Sequence, residues 1–133
     1  MEFILKNKIS QLNKLADMLK IFCAENDLPD NILFDLNLSL DELVTNIISY
    51  GFDDNKEHDI NISVEKIENG VEIKLEDDGA EFNPLNENDP KIGAALEEME
   101  VGGLGIYFVK NKMDEIHYQR QLGKNIIKLK KKL

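Results

Sequence analysis

Hydrophobic and polar residues follow helical and strand periodicities in successive segments of the chain. Apolar side chains recur every three or four residues from Lys8 to Glu25, and again from Leu36 to Gly51. They alternate with polar side chains in residues 60–64 and 71–75, and Asn69-Gly70 between these two segments is typical of a hairpin turn. We therefore expect two amphipathic helices followed by a β-hairpin.

The remaining segments extend this pattern on both sides. Residues 2–5 have the length of a short strand, and Asp30 stands where the N-cap of the second helix is expected. Residues 102–113 read as a third helix with a glycine-rich start. A second hairpin follows, with strands at 116–121 and 125–131 around Gly123.

Strands in which apolar and polar side chains alternate form a sheet with one apolar face, which must be covered. Three amphipathic helices can cover it. We predict one α/β domain over residues 1–133, a two-layer α/β sandwich with a mostly antiparallel sheet. The least regular part, 79–101, contains two prolines and many acidic side chains, and only residues 92–99 in it suggest a short helix.

The charge of the chain narrows the class of partner. The net charge is −10 and the only arginine is Arg120, which argues against nucleic acid or an anionic membrane surface as a partner. The single cysteine, Cys23, cannot form an intramolecular disulfide, and His58 and His117 show no metal-binding spacing. No stretch has membrane-spanning length and no leader pattern is present, so we expect a cytoplasmic protein.

The second helix carries a polar edge beside its apolar stripe. Glu42 and Asn46 are four residues apart and therefore lie one turn above the other, on a face that also includes Ser39. A glutamate and an asparagine in such places are more often a solvated flank. The alternative is that a carboxylate and a carboxamide at the edge of a buried surface line a cleft.

Two further polar side chains fall in the inward phase of their strands. Asp77 continues the odd, apolar positions of its strand, and a buried carboxylate needs a hydrogen-bond donor. It either caps the turn at Asp78-Gly79 or recognises an N–H group of a ligand, with Gly79 allowing a close approach. Asn125 is in phase with the buried positions of the last strand, and its amide is satisfied either by backbone or by a ligand.

Glycines 102, 103 and 105 precede the apolar pattern of the third helix. Such a helix start exposes backbone N–H groups and positive potential, which is a natural seat for phosphate. The stretch is neither a Walker A loop, since no Gly-Lys-Ser/Thr follows, nor a dinucleotide fingerprint, because Phe108 occupies the third glycine position.

Taken in order, these segments resemble the GHKL ATPase superfamily, whose ATP site is built by the Bergerat (histidine-kinase-like ATPase) fold. More closely, the chain is similar to the bacterial anti-sigma factor serine-protein kinases of the RsbW type. Residues 41–52, DELVTNIISYGF, match the N box with its Glu-x-x-x-Asn core. Residues 75–85, LEDDGAEFNPL, match the Asp-x-Gly box, and residues 102–116, GGLGIYFVKNKMDEI, match the second glycine box.

The resemblance implies ATP and Mg²⁺ as cofactors and a role for each matched residue. Asn46 would bind Mg²⁺ and Glu42 would be the general base. Asp77 would accept a hydrogen bond from the amine of adenine, and Gly79 would let the base lie close. Asn125 stands where relatives often carry a threonine.

The glycine box implies the phosphate contacts. Gly103, Leu104 and Gly105 would offer backbone N–H groups, and residues 83–101 would form the ATP lid. Two departures stand out: Glu81 replaces the second glycine of the Asp-x-Gly-x-Gly pattern, and residues 99–101 lack the arginine that many relatives place there.

The implied function is a protein serine/threonine kinase and anti-sigma factor that phosphorylates a small anti-anti-sigma (STAS-domain) partner, with a sigma factor as a second partner. A homodimer through the N-terminal strand and first helix is also implied. The missing arginine keeps an alternative open, a catalytically weak module that holds ATP or ADP and acts only by regulated binding. A histidine-kinase fragment is a third hypothesis, which the placement of both histidines disfavours.

Overall fold

Five antiparallel strands form one sheet, in the spatial order β1-β2-β3-β5-β4. The structure is a computed structural model that describes residues 1–86 and 103–133. The strands are β1 Glu2–Lys6, β2 Asp59–Ile67, β3 Gly70–Asp77, β4 Glu115–Gln121 and β5 Lys124–Lys132. Three helices complete the described part: α1 Leu12–Glu25, α2 Asp30–Tyr50 and α3 Gly103–Lys112.

The helices cover one face of the sheet, as the alternation in the strands predicts. Ile62 pairs with Leu75 and Val64 with Ile73, and all four side chains are at most 2% exposed. Each such burial stabilises the fold by about 1.5–3 kcal/mol. The opposite face carries exposed charged side chains, including Glu72, Lys74 and Lys128. The predicted two-layer α/β sandwich is confirmed.

Helix α2 is the central helix of the covering layer. It packs against α1 on one side and α3 on the other. Its buried stripe contains the apolar positions expected from the sequence: Leu36, Leu40, Leu43, Val44 and Ile47. The polar edge of α2 is therefore held between the sheet and α3.

A lysine on β5 holds the C-terminal end of α3. Lys131 Nζ donates a 2.7 Å hydrogen bond to the carbonyl oxygen of Lys112 and lies 3.2 Å from Asp35 Oδ2 on α2. A cation at a helix C-terminus is favoured by the helix dipole. These contacts join β5, α3 and α2 at the C-terminal end of α3.

The structure corrects several local boundaries. Helix α2 begins at Asp30, with Pro29 in the N-cap position, so Asp30 is in the first turn and is not the cap. The first hairpin turns at Glu68-Asn69, one residue earlier than predicted, because Asn69 adopts the left-handed conformation (φ 61°). The predicted helix at 92–99 lies outside the described residues, and no helix that the structure describes is long and apolar enough to cross a membrane.

Candidate functional site

The polar edge of α2 is largely removed from solvent. Ser39 is fully buried and Asn46 is 5% exposed. Glu42 Oε1 is buried and has no hydrogen-bond partner within the described residues. Burial raises the pKa of the Glu42 carboxyl, the amide of Asn46 lowers it, and the charge of Asp41 raises it further. A buried carboxylate oxygen without a donor, such as Oε1, is costly unless a ligand supplies one.

Glu42 faces the first turn of α3. A Cβ at position 105 would overlap the carboxyl carbon and both oxygens of Glu42, so only glycine allows this approach. Gly103 and Leu104 precede it in the same turn, where backbone N–H groups lack intrahelical acceptors. The carboxylate thus lies at a helix N-terminus, a position that favours negative charge and also suits phosphate.

Asp77 is 3% exposed at the end of β3. Its Oδ1 accepts hydrogen bonds from the Gly79 N–H (2.9 Å) and from Asn125 Nδ2 (3.1 Å). Burial raises the pKa of this carboxyl, whereas the two donors and the nearby Arg120 lower it. Asp77 therefore caps its own turn through one oxygen, and no donor in the described part of the chain reaches Oδ2.

Asn125 lies at the centre of a hydrogen-bond cluster. Its Nδ2 donates to Asp77 Oδ1 and, at 2.8 Å, to the carbonyl oxygen of Ala80. Its Oδ1 accepts from the hydroxyl of Tyr118 (2.5 Å) and the backbone N–H of Phe82 (3.3 Å). The amide is thus satisfied within the protein, and it links β5 to β3, to β4 and to the segment after Gly79.

The backbone of Gly79 lies against the end of α2. A Cβ at residue 79 would lie 2.6 Å from the carbonyl oxygen of Gly51, which itself accepts a 2.8 Å hydrogen bond from the Ala80 N–H. Arg120 Nη1 donates to the Gly79 carbonyl oxygen at 2.8 Å. In this structure glycine is required at 79 by the protein backbone, a reason that differs from the close approach of a base expected from the sequence.

Asn46, Asp77 and Asn125 line one cavity between α2 and the sheet. Phe82 and Pro84, from the segment that follows Gly79, are also among its lining residues. The cavity volume is about 10 Å³, room for about one water molecule. A pocket that buries a small ligand has a volume of about 300–1,000 Å³, so the cavity as it stands is too small for a nucleotide base.

The predicted site residues thus form two neighbouring groups. Asp77, Gly79 and Asn125 surround the end of β3, and Glu42 meets Gly105 across the α2–α3 contact. Asn46 connects the two groups. It is one helical turn from Glu42, and its side chain lines the same cavity as Asp77. Most of the predicted lid, from 87 to 101, lies outside the described residues.

The sequence reasoning missed Tyr118, Arg120 and the Gly51 carbonyl. Tyr118 and Arg120 share the phase of Ile116 on β4, so the alternation in that strand could have placed both on the helix side. The alternation could not have identified Gly51, because Gly51 contacts Ala80 through its backbone carbonyl oxygen. Within the described residues, no cluster of three metal-binding side chains occurs.

The chain is similar to several serine- and serine/threonine-protein kinases. The chain is 28% identical over 96 residues to the serine/threonine-protein kinase BtrW of Bordetella bronchiseptica, covering 72% of the chain and 68% of that relative. It is 24% identical over 94 residues to the serine-protein kinase RsbW of Bacillus subtilis, covering 67% of the chain. The match spans only 58% of that RsbW and 59% of the RsbW of Oceanobacillus iheyensis.

Solved structures share the fold at lower identity. The RsbU and RsbW domains of Rv1364c from Mycobacterium tuberculosis superpose on the whole chain with a TM-score of 0.69 and 14% identity, over 32% of that protein. The SiaB-SiaC complex from Pseudomonas aeruginosa gives a TM-score of 0.60 at 16% identity, with 100% of the chain and 89% of the solved chain covered. The family model described as "histidine kinase-like ATPase domain" matches residues 5–131. The chain belongs to the family of histidine kinase-like ATPase domains.

Proposed function

We propose that this chain binds ATP and transfers its terminal phosphoryl group to a serine or threonine of a protein partner. The observation that carries the proposal is the Glu42 carboxylate, whose Oε1 is buried without a hydrogen-bond partner among the described residues and which lies against the glycine turn of α3. A phosphate seat and a potential base are thereby adjacent. The family assignment and the names of the relatives support the same conclusion.

The adenine base belongs at the end of β3. Asp77 is nearly buried and offers a carboxylate oxygen, Oδ2, that no donor in the described residues uses. An exocyclic amine is a donor that matches it. Ala80, Phe82 and Pro84 line the small cavity beside Asp77, so they have to move outward for the base to enter.

The triphosphate belongs at the N-terminus of α3. The backbone N–H groups of Gly103, Leu104 and Gly105 are the donors, and the helix dipole adds positive potential. In a chain of net charge −10 this local potential matters, because the surrounding field is unfavourable to an anion.

The residues present fit a magnesium ion. The carboxamide of Asn46 supplies a hard oxygen ligand in the cavity, and the unpartnered Glu42 Oε1 lies one helical turn away. When bound with ATP, Mg²⁺ would neutralise phosphate charge. Glu42 would then accept the proton of the attacking hydroxyl, and its raised pKa makes it a stronger base than a solvated glutamate.

The proposed partner is a small anti-anti-sigma protein with a STAS domain, and the proposed readout is release or capture of a sigma factor in the cytoplasm. We also propose a homodimer through β1 and α1. Among the described strands, β1 has a paired neighbour on one side only, and Ile4 and Ile21 are 43% and 46% exposed.

The proposal is tested by nucleotide-dependent melting and by phosphate transfer. We expect Mg²⁺-ATP to raise the melting temperature of the wild type and to leave Asp77→Asn unshifted. With radiolabelled ATP and a candidate STAS-domain protein, label should reach a serine or threonine of that protein. Melting unaffected by any nucleotide would overturn the proposal, and binding without transfer to any partner would reduce it to ATP-dependent binding.

A further inference from the structure

The aromatic ring of Tyr118 lies on the helix side of β4, and its hydroxyl is 2.5 Å from Asn125 Oδ1. Burial, and next the negative charge of Glu81, raise the pKa of this phenol. The hydroxyl therefore stays protonated at neutral pH and can donate. The amide oxygen has one other donor among the described residues, the Phe82 N–H, at a longer 3.3 Å.

The opposite end of the same amide contacts Asp77. Asn125 Nδ2 donates to Asp77 Oδ1, and of the contacts that lower the pKa of this buried carboxyl it is the largest. The remaining donor to Asp77, the Gly79 N–H, belongs to its own turn. A chain of hydrogen bonds thus runs from Tyr118 through Asn125 to Asp77, and each member polarises the next.

We propose that Tyr118 is a positioning residue that sets the base selectivity of the nucleotide site, acting through Asn125 to keep Asp77 a pure hydrogen-bond acceptor. The inference rests on the proposed function and specifies its substrate. An ionised carboxylate accepts from the 6-amino group of adenine and repels the 6-oxo group of guanine. A protonated Asp77 could instead donate to the guanine oxygen.

The geometry explains why the hydroxyl matters. Without it, the oxygen of the Asn125 amide is held only by the longer Phe82 contact, while Nδ2 keeps its hydrogen bond to the Ala80 carbonyl oxygen. The side chain shifts more easily, and Asp77 loses the donation from Asn125 for part of the time, while the burial that raises its pKa remains. Selection against a guanine base weakens in consequence.

The test compares ATP and GTP, both with Mg²⁺, in the full chain by titration calorimetry. In Tyr118→Phe we expect ATP to bind about three- to tenfold more weakly, the loss of about one hydrogen bond, and GTP to bind equally or more tightly. Tyr107→Phe is the matched control, because it removes the same hydroxyl from a ring on α3 that is 36% exposed.

A second pair of variants shows whether Tyr118 acts through Asn125. In an Asn125→Ala background, Tyr118→Phe should leave the ratio of ATP to GTP affinity unchanged. A Tyr118→Phe chain whose ratio of ATP to GTP affinity equals that of the wild type overturns the inference, whether or not both affinities fall. That result leaves the proposed function intact. A wild type that binds neither nucleotide overturns both.

Discussion

The α-carbon of Gly105 lies directly against the carboxylate of Glu42. The contact joins the first turn of α3 to the middle of α2 and leaves no room for a side chain at position 105. Two segments that are far apart in the sequence thereby meet. In the proposed site, the close approach of the acid to the helix N-terminus depends on glycine at this position.

Gly105→Ala should therefore impair the site more than the fold. We expect the added methyl group to displace Glu42 or the start of α3, to weaken ATP binding at least tenfold and to abolish phosphate transfer. Gly123→Ala is the control, since nothing lies within 4 Å of a Cβ there and its left-handed backbone (φ 76°) costs only about 1 kcal/mol. Equal nucleotide affinity in both variants, measured by calorimetry, would contradict the assigned contact.

Glu42→Gln should separate stability from activity. The substitution removes a desolvated charge without changing the shape of the side chain, so we expect a melting temperature a few degrees above that of the wild type at pH 7.5. ATP binding should persist, while phosphate transfer should fall at least a hundredfold.

The pH dependence of transfer provides an independent check on Glu42. As a base it must be ionised, and its folded-state pKa lies above the ordinary value of 4.5. The transfer rate should therefore fall as the pH drops through that raised pKa, at a higher pH than a solvated glutamate would give. A rate that is flat down to pH 4.5 would exclude Glu42 as the base.

Asp77→Asn should change the stability of the fold in a pH-dependent direction. The folded-state pKa of Asp77 is raised above its unfolded value of 3.8, so the folded wild type binds a proton more tightly than the unfolded chain. The contribution of Asp77 to stability is thus most favourable below 3.8 and is lost as the pH rises through the folded pKa. As the pH rises through the folded-state pKa, the free energy of unfolding of Asp77→Asn should therefore increase relative to that of the wild type. Urea unfolding at several pH values measures this difference.

Lys131→Met should loosen the C-terminal end of α3. The variant loses the hydrogen bond to the Lys112 carbonyl and the ion pair with Asp35, both little exposed, and we expect a loss of about 2 kcal/mol in the free energy of unfolding. Lys128→Met on the open face of the same strand is the control and should change stability by less than about 0.5 kcal/mol. Equal losses would show that the cluster contributes nothing specific.

The alternation in the strands was enough to predict the sheet and the inward direction of Asp77 and Asn125. Periodicity reports which face a side chain occupies, and burial enforces it. It does not report what a side chain meets on that face. The partners of Asn125 depend on β4 and on residues 80–82, and their approach follows from strand pairing that no local pattern encodes.

The size of the cavity depends on tertiary packing for a related reason. Asn46 and Asp77 line a cavity of only about 10 Å³ between α2 and the sheet. Phe82 and Pro84 contribute to its lining. Whether an irregular segment lies over a site or inside it is decided by tertiary packing, which composition alone does not reveal.

The hydrogen bond from the Ala80 N–H to the Gly51 carbonyl oxygen is made entirely by main-chain atoms. Replacing side chains therefore does not remove this hydrogen bond, as long as residues 51 and 79 remain glycine and let the two backbone segments approach. The contact between these two main-chain segments therefore tolerates wide change in the side chains around it. Engineering of a new ligand preference should accordingly keep these backbones and vary only what projects from them.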